Sequence, residues 1–255
     1  MRKEFRAGDF LVWLVVVGLL LWALAPGGLD LAGLGTKGIA GRNTLGSVLD
    51  LGKKTENILR VAKNQDLAQA VAALPVRRAN PNAKYDRARF GKKWADVDHN
   101  GCDTRNDILR RDMTGVAAKP GTHECVVAQG VLNDPYTGKT INFRRGEHSS
   151  SAVQIDHVVA LMDAWNSGAY QWDENKREQY ANDPLVLLAA DGPANQAKGA
   201  SSADQWMPSN NAFHCAYIAR QVAIKQKWSL SVTAAEQRTM ALAAKECPQE
   251  PLPVR

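Results

Sequence analysis

Runs of apolar and polar positions divide the chain into a leader, a spacer and a series of short periodic stretches. Phe10 to Ala25 is one uninterrupted apolar run and follows Arg2, Lys3 and Arg6. A basic start before an apolar core predicts an export signal. The run is shorter than the roughly 20 residues of a spanning helix. Ala23-Leu24-Ala25 has the small-x-small spacing of a cleavage site, whereas Pro26 directly after it hinders cleavage. Residues 1–25 therefore read as a signal peptide or an uncleaved transmembrane anchor, the protein's sole route to a membrane. Seven glycines between Gly27 and Gly46 make residues 26–46 a flexible linker.

Further along, helical spacing of Val48, Leu51, Ile58, Val61, Leu67, Val71 and Leu74 predicts an amphipathic helical segment over 47–76, ended by Pro75. Asp103 or Thr104 is placed to cap a helix from Arg105 to Asp112. Cys125–Val131 and Lys139–Phe143 alternate as strands, and Asn133-Asp134-Pro135-Tyr136-Thr137-Gly138 between them is turn chemistry, so a β-hairpin is expected. Gln154 to Leu161 reads as a short buried strand leading into a helix from about Val159 to Ser167. A second helix, about Asp173 to Asn182, precedes a buried strand at Leu185–Leu188. Asp191-Gly192-Pro193 then opens a helix carrying Asn195 and Lys198.

Composition refines this picture. With 255 residues, the chain can hold one good core plus an appendage. We place a domain at 77–247 and a flexible tail at 248–255. A net charge of +6 favours an anionic partner without requiring one. All four cysteines, Cys102, Cys125, Cys215 and Cys247, lie beyond the leader, as suits an exported protein with two disulfides. Three pairings are possible; Cys102 with Cys125 and Cys215 with Cys247 is preferred, because each pair brackets one local unit. A zinc site is disfavoured, since no C-x-x-C or close Cys/His pair is present.

Two stretches are chemically ambiguous. Between Val76 and Lys93, Arg77, Arg78, Lys84, Arg87, Arg89, Lys92 and Lys93 interleave with Tyr85 and Phe90. Cations attract phosphates and aromatic faces stack on bases, although a solvated basic face explains the same residues. Asp96-Val97-Asp98-His99-Asn100-Gly101, with Asp107 at the twelfth position, resembles a calcium loop. Its closing residue is Asp rather than Glu, and an Asx-rich turn before a helix, the preferred reading, explains the same residues.

The most informative stretch is Ile155-Asp156-His157-Val158-Val159. A carboxylate can hold a divalent cation, and an imidazole beside it can take a proton from water. An Asp-His pair at a strand end is weak alone. Its order with Ala181-Asn182-Asp183-Pro184-Leu185-Val186-Leu187-Leu188, Asn195-Gln196-Ala197-Lys198-Gly199, Trp206-Met207-Pro208 and Cys215-Ala216-Tyr217 is more specific. So is the upstream Trp94-x-Asp96-x-Asp98-x-Asn100-Gly101-Cys102-Asp103-Thr104-Arg105. In that order the sequence resembles the HNH, or ββα-metal, endonucleases, and within them an exported form of the GmrSD-type restriction endonuclease C-terminal domain. The resemblance runs from about Tyr85 to Cys247.

That resemblance implies an α+β fold: a ββα-metal core with added helices and a β-hairpin, stapled by disulfides. It makes His157 the general base and gives Asp156 and Asn195 to one divalent metal, Mg²⁺ first, with Mn²⁺ or Ca²⁺ as alternatives. Asn182 becomes the middle asparagine that braces the loop or orients the base. Lys198 and Arg105 become phosphate contacts. Asp stands where many HNH enzymes have a first His, Ala160 stands where the exported proteins often have Pro, and two helices lengthen the gap between His157 and Asn195. His99, His123, His148 and His214 read as surface or structural. The expectation is an exported monomeric endonuclease of low sequence specificity, acting on DNA and alternatively RNA, without a small-molecule cofactor. The rivals are a non-catalytic nucleic-acid-binding surface module and a calcium-stabilised domain.

Overall fold

The computed structural model describes residues 66–147 and 149–254. Every described residue belongs to one unit of the chain, within residues 56–255. The leader, the linker and most of the amphipathic segment lie outside the described residues. No helix among the described residues is long and apolar enough to cross a membrane. The transmembrane expectation is corrected to that extent; the run Phe10 to Ala25, on which it rested, is itself outside the described residues.

A helical layer forms one side of the domain. Asp66 caps α1 (Leu67–Ala72) by accepting from the Ala68 amide, and Leu67, Ala70 and Val71 turn inward at helical spacing. The two-residue strand β1 (Val76–Arg77) follows. Near the other end of the chain, α6 (His214–Lys227), β7 (Val232–Thr233) and α7 (Ala234–Glu246) complete the layer. β1 and β7 pair in parallel, and α1 packs on both α6 and α7. Thr233 and Glu236 form a capping box at the start of α7, satisfying two amides that the first helical turn leaves open. Lys225, fully buried, sits 3.0 Å from both Asp163 and Glu236, and Arg77 reaches Asp163 at 3.4 Å. This charge network ties the helical layer to the centre.

On the other side, α2 (Thr104–Asp112) is capped by Asp103, whose carboxylate accepts from the Asn106 amide at 2.9 Å. A three-stranded antiparallel sheet orders β2 (Thr114–Ala118), β3 (Val127–Asn133) and β4 (Thr140–Arg144) side by side. The expected hairpin is β3 with β4; β2 lacks bulky apolar residues and gave no sequence signal. In the turn, Asp134 Oδ2 accepts from the Thr137 amide at 2.7 Å while Oδ1 accepts from the Asp191 amide at 2.8 Å. One buried carboxylate thus joins the hairpin to the centre of the domain.

That centre is a second, two-stranded antiparallel sheet, β5 (Val153–His157) with β6 (Leu187–Asp191). Between the strands lie α3 (Leu161–Asn166) and α4 (Glu174–Ala181); α5 (Gly192–Lys198) follows β6 without a loop and packs on both strands. β6 starts two residues later than the apolar run predicts. Asp183 holds Leu185 and Val186 in a turn by accepting from both amides, so the ladder begins at Leu187 and continues through Ala189 and Ala190. Val153, Ile155, Leu187 and Ala189 bury one face of the sheet against Ile108, Leu109, Val127, Leu132 and Phe143. Val158, Trp165, Tyr180, Leu188 and Tyr217 belong to the larger cluster under the helices.

The disulfides join Cys102 to Cys125 and Cys215 to Cys247. The first fastens the loop before α2 to the start of β3; the second joins the beginning of α6 to the end of α7. For loops of this size the chain-entropy model gives about 3 kcal/mol each. The fold is mixed α+β, as expected.

Candidate active site

Successive residues of a strand point to opposite faces, and β5 uses this directly. Gln154 and Asp156 face α5, which returns Asn195 and Lys198 toward them. Asn195 Nδ2 donates to Gln154 Oε1 at 2.9 Å, and Lys198 Nζ donates to Asp156 Oδ1 at 3.0 Å and to the His157 carbonyl at 2.9 Å. Tyr136, buried in the β3–β4 turn, donates its hydroxyl to Asp156 Oδ2 at 2.5 Å. The loss of solvent and the neighbouring Asp156 charge push the Tyr136 phenol well above its usual range, so it stays a donor. Asp156 is therefore fixed from two sides.

His157 points the other way. Its Nε2 lies 3.0 Å from the carbonyl oxygen of Ala181, the last residue of α4. A carbonyl can only accept, so Nε2 carries the proton and Nδ1 keeps a lone pair. Burial pushes the imidazole down to about 4, more than the Asp156 charge raises it. The ring is thus neutral at pH 7. Trp94 stacks on it with the planes 13° apart.

A cleft of about 320 Å³ opens along the free edge of β5. Asp156, His157 and Asn195 all line it, with Tyr85, Arg87 and Met162 also on its wall. Next to it lies a smaller pocket of about 40 Å³, which shares Arg87, His157 and Leu161 with the cleft and is also bounded by Trp94, Ala181 and Asn182. Asn182 is buried at the C-terminal end of α4 and donates to the Glu178 carbonyl at 2.9 Å and the Lys92 carbonyl at 3.4 Å. It bonds the basic segment to α4 and does not line the larger cleft.

Two residues named from the sequence stand in other surroundings than a phosphate contact would have. Lys198 is fully buried on Asp156 rather than projecting to solvent. Arg105 donates to the Val153 carbonyl at 3.1 Å, binding α2 to the start of β5, and is not among the cleft residues. Two cations of the basic stretch have structural partners: Arg77 joins the Asp163 network and Arg89 lies over Trp165. Arg87, exposed beside Tyr85, is the cation of that stretch that lines the cleft. Tyr136 and Trp94 were missed as site residues, because a turn tyrosine and a loop tryptophan give no periodic signal.

Among the described residues no three or more His, Cys, Asp or Glu side chains gather as a metal site. In the Asp96 loop, Asp96 accepts from the amides of Asn100 and Gly101, so the carboxylates serve an Asx-rich turn. At the cleft, one carboxylate and one amide oxygen supplier face a common space. That donor set fits a hard cation such as Mg²⁺, which is held by few protein oxygens and completes its shell with water and phosphate. His99 and His123 are exposed, His214 bonds the Pro208 carbonyl, and His148 lies outside the described residues.

Fold and site together define a disulfide-stapled α+β domain that gathers acid, imidazole and amide groups at one cleft. The chain belongs to the family of GmrSD restriction endonucleases, C-terminal domain, whose profile matches residues 103–243. That family is nuclease-like, which makes nucleic acid the substrate class and a divalent metal the expected cofactor class. The chain is also similar to an uncharacterised secreted protein of Arthroderma benhamiae, 33% identical over 180 residues, covering 69% of this chain and 82% of the relative. No solved structure gives a significant match. The two disulfides agree with an extracellular location.

Proposed function

We propose that the protein is an exported, metal-dependent endonuclease that hydrolyses phosphodiester bonds of DNA, with RNA as the alternative substrate, through a ββα-metal core formed by β5, β6 and α5. The observation that carries this reading is the convergence of Asp156, His157 and Asn195 on one cleft from a strand end and the helix that follows its partner strand. The secreted relative and the disulfides support export.

In this reading His157 Nδ1 takes the proton of the attacking water, while the Ala181 carbonyl keeps the imidazole in the required tautomer. Asp156 and Asn195 would hold the metal. When bound, that cation supplies positive charge to offset the charge that develops on the phosphate and the departing oxygen. Lys198 and Tyr136 fix the Asp156 carboxylate, so its orientation is set before substrate arrives. Arg87, at the cleft wall, would bind a phosphate of the substrate. Among the described residues no separate sequence-reading element accompanies the site, which supports low base specificity.

The test is incubation of the disulfide-bonded full-length chain with plasmid DNA, linear DNA and RNA in EDTA, Mg²⁺, Mn²⁺ and Ca²⁺. Cleavage that requires a metal supports the reading. Binding of DNA without cleavage in any metal would replace it with the reading of a non-catalytic nucleic-acid-binding surface module.

A further inference from the structure

The His157 imidazole has a second constraint besides its hydrogen bond. The Trp94 indole lies nearly parallel to it, with ring centroids 6.3 Å apart, inside the range of offset stacking. We propose that Trp94 is a positioning residue that fixes the plane of the His157 ring, so that the Ala181 hydrogen bond and the stack together aim Nδ1 into the cleft. This rests on His157 acting as the general base.

Three observations carry it. First, Trp94 has φ +58°, a left-handed conformation that a bulky side chain rarely adopts. Such strain persists only where the surroundings impose it. They do so here: the Lys92 amide donates to Glu178 Oε1 at 2.9 Å, Asn182 Nδ2 donates to the Lys92 carbonyl at 3.4 Å, and the Thr104 hydroxyl donates to the Ala95 carbonyl. Gly91 packs so closely on α4 that a Cβ there would lie 2.7 Å from the Glu178 Cβ.

Second, the anchors of the indole and the partner of the imidazole come from one helical turn. Glu178 and Asn182 hold the Trp94 segment, and Ala181 between them accepts from His157. Indole and imidazole are therefore referenced to the same piece of backbone. The relative position of the two rings survives small movements of the rest of the domain.

Third, Trp94 is not part of the 320 Å³ cleft wall; it borders the smaller neighbouring pocket of about 40 Å³, which shares Arg87, His157 and Leu161 with the cleft, so the indole meets the imidazole beside the cleft rather than inside it. The ring touches His157 and the apolar cluster under β5, with the Lys93 ammonium 5.5 Å from its centroid.

The test uses the metal-free full chain and long-range ¹H–¹⁵N correlations of its histidine rings, with His157 assigned through His157→Ala. In the wild type, the His157 ring protons should show an upfield ring-current shift, and Nδ1 should be the unprotonated nitrogen. In Trp94→Leu the shift should vanish and the Nδ1 and Nε2 signals should move toward tautomer averaging, whereas Trp94→Phe should retain both. In the cleavage assay, Trp94→Leu should lower kcat about 10- to 100-fold with little change in KM, and Trp94→Phe should recover most of it.

A merely structural tryptophan would lower the melting temperature in both variants and leave the nitrogen signals in place, which would overturn the proposal. If Trp94→Leu fails to fold, the wild-type spectrum still decides, because absence of the ring-current shift overturns it too. Movement of the nitrogen signals in a protein that cuts nothing would sink the nuclease reading while leaving the positioning of His157 intact.

Discussion

Lys198 Nζ lies 3.0 Å from Asp156 Oδ1, and both side chains are buried. Removing one partner of such a pair leaves the other as an uncompensated buried charge, which costs about 3–5 kcal/mol. Lys198→Met should therefore lower the unfolding free energy by that order. Combining it with Asp156→Asn should cost clearly less than the sum of the two single changes. Urea denaturation of the four proteins checks this, and strict additivity would show that the pair is not coupled.

His157 makes stability depend on pH in a defined window. In metal-free protein its folded pKa is about 4, against about 6.5 for an unperturbed imidazole. The unfolded chain therefore binds a proton that the folded one refuses. The contribution is fully present above about pH 6.5 and is lost as pH falls toward 4, by roughly 2–3 kcal/mol between pH 7.5 and 4.5. His157→Gln should flatten the acid limb of a stability profile recorded in EDTA. An unchanged limb would contradict the burial argument.

Lys225 predicts the opposite limb. Burial lowers its pKa, but attraction to Asp163 and then Glu236 outweighs it, leaving the ammonium above its usual value. Stability from this group is fully present below about pH 10.5 and declines as pH rises through the raised value. Between pH 9 and 11.5, wild-type protein should lose more melting temperature than Lys225→Met. Parallel losses would remove the network from the alkaline transition.

Gly192 begins α5 where a Cβ would lie 2.1 Å from the Ser151 carbonyl oxygen. That is backbone, which cannot swing aside. Gly192→Ala should cost about 1–3 kcal/mol and displace the helix that carries Asn195 and Lys198. Cleavage should fall further than stability alone explains at a temperature where the variant is folded. Full activity with unchanged stability would refute the close approach.

The legible parts of this chain were those with strong local chemistry. Asp103 caps α2 as expected, Asp173 and Asp191 cap the two helices expected to start at them, and the turn residues marked the β3–β4 hairpin. Asp156 and His157 could be named because two apolar flanks isolate them. What they touch could not be read. Tyr136 reaches Asp156 from 20 residues upstream, and Trp94 reaches His157 across much of the domain, through contacts set by packing rather than by periodicity. Lys198 was misleading for a related reason: a lysine in a polar helix looks solvated until a buried carboxylate is placed opposite it. The helices α6 and α7, rich in alanine and with modest apolar stripes, gave too weak a pattern to be assigned before the structure.

The central claim is that His157 is the base of a metal-dependent nuclease. It is tested most directly by single-turnover cleavage of plasmid DNA in Mg²⁺ by wild type, His157→Ala and Asn195→Ala, with folding verified by circular dichroism. Loss of a general base lowers rates about 10²–10⁴-fold. The account predicts a fall of that size in His157→Ala, with EDTA abolishing what the wild type does. Cleavage by folded His157→Ala at the wild-type rate would contradict it.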